Sequence, residues 1–261
     1  MASEVDFPGW NWEDPDSLAA RMDEFSAGLA RCESVKPVDG PWPRGRELLA
    51  ELGVTGIEFA AFRTAHPSGL GTDLAGLRSE TEATEPGRVY RVDGQSLFTQ
   101  LDVAEPLPFD DGSVDWVYAE HLIEHVPLRV AIGWLAEVRR ILAPGGLLRI
   151  TTPDLARYVE GYRSGGEGGG GFFAKHRRRL RTMRVGPPMP ARRAFMFNQI
   201  FYLYGHRWIY DVDELRHAVS EAGFAPEALR ECAFRAGSRP DVADLDTTFR
   251  SDETIYVEVT A

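Results

Sequence analysis

The chain has 261 residues, 43% hydrophobic and 26% charged, enough apolar material for a substantial core and no run long enough to span a membrane. A net charge of −11, from 40 acidic against 29 basic residues, repels phosphate backbones and anionic lipid, so neither nucleic acid nor a membrane surface is expected as a partner. Cys32 and Cys232 are too few for a disulfide framework or a thiolate zinc centre, and the acidic start lacks the basic-then-apolar pattern of a secretory signal, which makes a cytoplasmic location the expectation.

In chain order, an aromatic segment at 7–12 precedes a helix at 16–33, in which Leu18, Met22, Phe25 and Leu29 share one face. Pro37, Gly40, Pro41 and Pro43 then punctuate the chain, and residues 1–42 read as an arm on a main domain of 43–261. The spacing predicts a helix over 44–52 and a strand over 56–61. A strand at 88–92 ends at Asp93, and another at 98–101 ends at Asp102. Beyond them come a strand at 114–119, a mostly helical stretch at 121–142, and a strand at 147–152 after a Pro-Gly-Gly turn. A helix at 211–222 opens on Asp211, and strands at 227–234 and 254–259 finish the chain. Strands alternating with helices imply a parallel sheet covered on both faces, with ligands at the carboxyl ends of its strands. Within 160–210, a glycine-rich run at 164–171, a basic run at 175–184 and an aromatic run at 195–210 interrupt the pattern. They read either as a solvated loop and a packing helix, or as a lid over the site.

The most informative run is 101–154. It holds Asp102, Leu107-Pro108-Phe109, Val114-Asp115-Trp116-Val117, Ile123-Glu124-His125-Val126 and Leu142-Ala143-Pro144-Gly145-Gly146 in that order. This succession resembles the class I S-adenosylmethionine-dependent methyltransferases, in the small-molecule branch called type 11. The resemblance implies an α/β, Rossmann-like, doubly wound and mostly parallel seven-stranded sheet. It also implies S-adenosyl-L-methionine as cofactor and a small-molecule acceptor, with a homodimer as the oligomer to consider. Glu58 and Ala60 take the cofactor positions after the first strand, Asp93 the ribose (with Asp73 as the alternative), Asp102 and Val103 the adenine, and Glu120 the edge beside them. The family's Gly-x-Gly-x-Gly is replaced, since Ala60, Phe62 and Thr64 stand at its glycine positions and Phe62 is placed to fill cofactor space. That departure keeps two other readings open: an enzyme of this fold that does not transfer methyl, or a non-catalytic binding subunit.

For the acceptor side, His121 past the strand carrying Val117 is the candidate general base, with His206 and Tyr210 as further catalytic candidates. The alternative for His121 and His125 is capping of the helix start. His121-Leu122-Ile123-Glu124-His125 also has the H-x-x-E-H spacing of zinc peptidases. That chemistry needs a long helix and a third ligand, so no metal is expected.

Overall fold

The computed structural model describes residues 27–164, 171–182, 190–202 and 204–261. The aromatic segment at 7–12, most of the helix at 16–33 and most of the glycine-rich run lie outside the described residues.

The strands are β1 (Val35–Pro37), β2 (Gly56–Phe59), β3 (Gly69–Asp73), β4 (Val89–Val92), β5 (Ser96–Gln100), β6 (Val114–Glu120), β7 (Leu142–Pro153), β8 (Leu229–Cys232) and β9 (Thr254–Thr260). They form one nine-stranded sheet in the order β1-β4-β5-β3-β2-β6-β7-β9-β8. The run from β5 to β7 is parallel and β9 enters antiparallel, as the seven-stranded expectation requires. The two extra strands are on the β5 side. There β4 pairs antiparallel with β5 across a tight turn, and β1, inside the segment read as an arm, pairs antiparallel with β4.

The helices are α1 (Arg46–Glu51), α2 (Leu128–Ile141), α3 (Leu155–Arg163), α4 (Phe172–Thr182), α5 (Arg193–Tyr202), α6 (Val212–Glu221) and α7 (Pro240–Ala243). The helical stretch expected at 121–142 is divided. Ile123–His125 is a single 3-10 turn, and α2 starts only after Pro127, which has no N–H to continue a ladder. In α2, Ala131, Trp134, Leu135, Val138 and Ile141 make one buried stripe. Asp211 caps α6 by accepting from the Glu214 N–H at 2.9 Å.

Alternation along the strands sorts the two faces. Ile57, Phe59, Leu70, Val117, Ala119, Leu148, Ile150, Val257 and Val259 meet α2 and α6 in the main core, where Phe59 packs edge-on against Trp134 at 5.4 Å. The opposite face carries Glu58, Trp116, Tyr118, Arg149 and Glu258, all buried. It is covered by two irregular segments. One is 233–250, which brings Val242 onto Trp116, Tyr118 and Leu147 and Asp246 onto Arg149. The other is the crossover 60–68, which joins parallel strands β2 and β3 with no helix. It lies on β3 closely enough that a Cβ at Gly69 would meet Thr64 Oγ1 at 2.2 Å, and one at Gly71 the Ala61 carbonyl at 2.9 Å.

The insertion after β7 has its own small core of Tyr158, Phe173, Met196 and Ile200. His176 on α4 ties it to the main domain, with Nδ1 3.3 Å from Asp252 and Nε2 3.6 Å from Glu253. Burial pushes the His176 pKa down and Arg179 opposes protonation as well. Glu253 and Asp252 outweigh both, so the net shift is upward. A raised folded-state pKa stabilises the docked form fully below the unfolded value of about 6.5, and the contribution is lost as pH climbs through the folded value. Proteolysis of α4 should therefore accelerate from neutral to mildly alkaline pH in the wild type and not in His176→Gln. A flat wild-type profile would remove His176 as the tether.

Candidate active site

Parallel pairing brings Phe59, Asp73, Gln100, Glu120 and Pro153 to one edge of the sheet. The chain winds outward in both directions from the β2/β6 boundary, the crevice where ligands settle in such sheets.

At β2, Glu58 is buried and turned toward the crossover. It accepts from Thr64 Oγ1 and from the His66 N–H, and burial raises its pKa to about 7. Ala60 holds the left-handed backbone of a motif glycine at φ 55°, at a cost of roughly 1–2 kcal/mol. Phe62, expected to fill cofactor space, instead packs beside Ala30, Val35, Leu77, Tyr90 and Phe98, between the crossover and the N-terminal strand. Of the three substituted positions, Ala60 alone is left-handed; Phe62 and Thr64 are not.

Asp93 requires a correction. It sits in the turn from β4 to β5, and because β4 runs antiparallel this turn lies at the amino edge, opposite the crevice. Its Oδ1 accepts from the N–H groups of Glu33 and Ser34, and its Oδ2 from Arg63. It is a structural clasp on the N-terminal segment. Asp73 ends β3 at the carboxyl edge, paired across from Gln100. Its Oδ1 accepts from the Ala75 N–H at 3.0 Å, and burial raises its pKa. Leu74, directly after it, is 65% exposed. With Gln100, Leu101, Asp102, Pro106, Trp42 and Arg44 it lines a cavity of about 470 Å³. Asp102 turns its Oδ1 to the Ala104 N–H at 2.9 Å, and Val103 behind it packs against the core.

Past β6, Glu120 accepts from the Thr247 N–H and Oγ1 at 3.1 and 2.8 Å, so segment 233–250 reaches the crevice. His121 is the second correction. At φ 51° its backbone turns the side chain inward, to 3% exposure. Its Nε2 lies 3.0 Å from Thr254 Oγ1 and its Nδ1 2.9 Å from Glu124 Oε1. An imidazole so enclosed does not face an acceptor. Tyr210 is likewise fully buried in the main core, and burial, then Glu124, raise its pKa.

Three further side chains converge past β6. Glu124, His125 and His206 each bring one donor atom within 4.8 Å of the others. Glu124 is fully buried. Its Oε2 accepts from Thr152 Oγ1 at 3.0 Å, and its carbonyl accepts from the N–H groups of Arg207 and Trp208. Burial pushes its carboxyl up, but His121, His125 and His206 outweigh it and bring the pKa to about 2. The His125 and His206 rings meet edge to face at 4.9 Å. Burial holds both below the ordinary histidine value, His125 at about 4. Among the described residues no helix is long and apolar enough to cross a membrane.

Against this geometry the likenesses to known proteins can be placed. A stretch of 94 residues is 32% identical to an uncharacterized 37.1 kDa protein in transposon TN4556 of Streptomyces fradiae, covering 35% of this chain and 25% of that protein. Among solved structures, the CurJ carbon methyltransferase matches at 12% identity over 85% of this chain and 50% of that one, with a TM-score of 0.39. A SAM-dependent methyltransferase from Archaeoglobus fulgidus matches at 9% identity over 95% of both chains, with a TM-score of 0.40. Residues 50–229 match the profile of a family described as a methyltransferase domain. They take in β2 through α6 and the crevice itself, and the chain belongs to this family of class I S-adenosylmethionine-dependent methyltransferases.

Proposed function

We propose that this chain transfers a methyl group from S-adenosylmethionine to a small-molecule acceptor in the cytoplasm. The observation that carries the reading is the pair of carboxylates at the carboxyl edge, Asp73 at the end of β3 and Asp102 two residues past β5, beside an open, apolar cavity lined by Asp102 and by Leu74, the neighbour of Asp73. The donor set suits an adenosine. Asp73 can accept from two ribose hydroxyls, Asp102 from an adenine amino group, and Leu74 and Leu101 supply apolar surface for the base, with Val103 backing them from the core. The amino-acid end would lie against the turn after β2 at Ala60 and Ala61, with Glu120 across the crevice from them.

The cofactor supplies an already activated methyl on sulfur, so the protein's task is chiefly alignment and exclusion of water. The insertion carrying α4 and α5 acts as the lid, with Trp208 and Tyr202 as exposed aromatic surface at its border. His125 and His206, held neutral, keep imidazole nitrogens that can accept from an acceptor hydroxyl or amine. His121 steadies Glu124 from behind and does not touch the acceptor.

Calorimetric titration with S-adenosylhomocysteine tests the reading. Saturable binding with one site per chain is expected. A folded protein that shows no heat and no thermal shift with either S-adenosylhomocysteine or S-adenosylmethionine would sink it.

A further inference from the structure

The H-x-x-E-H run offers two histidines at a spacing that would suit a zinc helix, but the chain does not build that helix. The 3-10 turn at Ile123–His125 accompanies the inward turn of His121 and leaves part of His125 at the surface, with its ring packed edge to face on His206. The partner that joins His125 comes from the far end of the insertion and is His206. We propose that Glu124, His125 and His206 form a binding site for a divalent transition-metal ion of the zinc type.

The donor atoms are already gathered, all within 4.8 Å of one another. Ligands about 2.0–2.2 Å from a tetrahedral ion stand roughly 3.5 Å apart, so even the widest pair has to close by only about 1.3 Å. Each ligand is also prepared by its surroundings. His206 Nδ1 contacts the Ile200 carbonyl, which can only accept, so the proton sits on Nδ1 and the Nε2 lone pair is free. Imidazoles that bind metals characteristically donate their other N–H to a carbonyl or carboxylate in this way. Glu124 is held by Thr152 through Oε2, while its buried Oε1 has no hydrogen-bond partner among the described residues; the approach of His121 Nδ1 is an ion-pair contact without hydrogen-bond alignment. His125 makes no side-chain hydrogen bond among the described residues, and its ring meets that of His206 edge to face. A fully buried carboxylate is costly without positive partners; His121 supplies one at Oε1, and an ion shared with His125 and His206 would supply another.

Two imidazoles and one carboxylate favour zinc, cobalt, nickel or ferrous iron over magnesium or calcium, which select all-oxygen sets. Arg250 adds positive charge near His125, and the ion must bind in its presence. Three protein ligands leave a position open toward solvent, which water or an oxygen of the acceptor can occupy. Only that last use depends on the methyl-transfer reading; the site itself stands on side-chain geometry.

The test uses the full chain stripped with chelator. Zinc is titrated by calorimetry and cobalt by its visible absorption, in wild type, His125→Ala, His206→Ala and the surface control His217→Ala. One equivalent should bind saturably to wild type and to His217→Ala, and zinc should raise their melting temperature. His125→Ala and His206→Ala should each lose about tenfold or more in affinity. Both ligands are at least partly exposed, so these variants should fold, which circular dichroism checks. Absence of saturable binding to folded wild type would overturn the proposal, as would equal affinity in all four proteins. A parallel titration with S-adenosylhomocysteine reports separately on the cofactor crevice, so failure of one reading does not resemble failure of the other.

Discussion

Asp246→Ala is expected to destabilise the protein by about 3–5 kcal/mol, because it strands a buried guanidinium. Arg149 and Asp246 are both fully buried, with Arg149 Nε donating to Asp246 Oδ1 at 2.8 Å. The same carboxylate accepts from the Arg235 N–H at 2.8 Å, so the substitution also orphans a backbone donor. Glu258 still faces Arg149 at 3.3 Å, and the Ala233 and Ala236 carbonyls accept from it, which places the loss toward the lower end of that range. The effect reaches the site through the next residue, since Thr247 is what holds Glu120 at the crevice. Urea unfolding of Asp246→Ala and of the double variant Arg149→Met/Asp246→Leu gives the test. If stranded charge is the cause, the double variant should recover most of the lost stability, because a well-packed apolar pair replaces a buried ion pair at little cost. A double variant as unstable as the single one would move the cause to the Arg235 backbone contact.

That network lies on a face whose polarity the sequence does not advertise. Strand β6 and the part of β7 after Pro144-Gly145-Gly146 are legible as β because they are long and buried on both sides, so the central run of the fold can be read directly, although β7 itself starts at Leu142, ahead of that Pro-Gly-Gly. Strand β3 is not legible. Gly69 and Gly71 lower its apparent strand character, and their reason is tertiary: the crossover lies against them where side chains would collide. With β3 hidden, the next strand ending in an aspartate is β4, and Asp93 inherits the role that we propose for Asp73, one strand earlier. Pattern alone does not distinguish a parallel strand from an antiparallel hairpin partner. Asp73 had a signal in the run Gly71-Thr72-Asp73-Leu74, an acid followed by an apolar residue left 65% exposed. The inward turn of His121 follows from one positive φ, and the pairing of His125 with His206 from the return of the insertion. Neither is encoded in spacing along the chain.

Asp73→Ala is expected to weaken S-adenosylhomocysteine binding by about 1–3 kcal/mol, five- to 150-fold, the scale of hydrogen bonds to a charged acceptor. Asp93→Ala should leave that affinity unchanged and lower stability instead, by about 1 kcal/mol, since its partners are the Glu33 and Ser34 N–H groups and Arg63. The pH dependence of binding offers an independent check. Burial raises the Asp73 pKa, and only the ionised carboxylate accepts from both ribose hydroxyls. Affinity should therefore begin to fall at a pH above that of an unperturbed aspartate, near 3.9, as acid is added. Asp73→Asn should remove that acid limb while keeping one acceptor oxygen, and so retain part of the affinity. Calorimetry of the four proteins across the acidic range reads both effects. Unchanged affinity in folded Asp73→Ala, with a loss in Asp93→Ala, would place the nucleoside at the amino edge of the sheet and refute the crevice between β2 and β6 as the cofactor site.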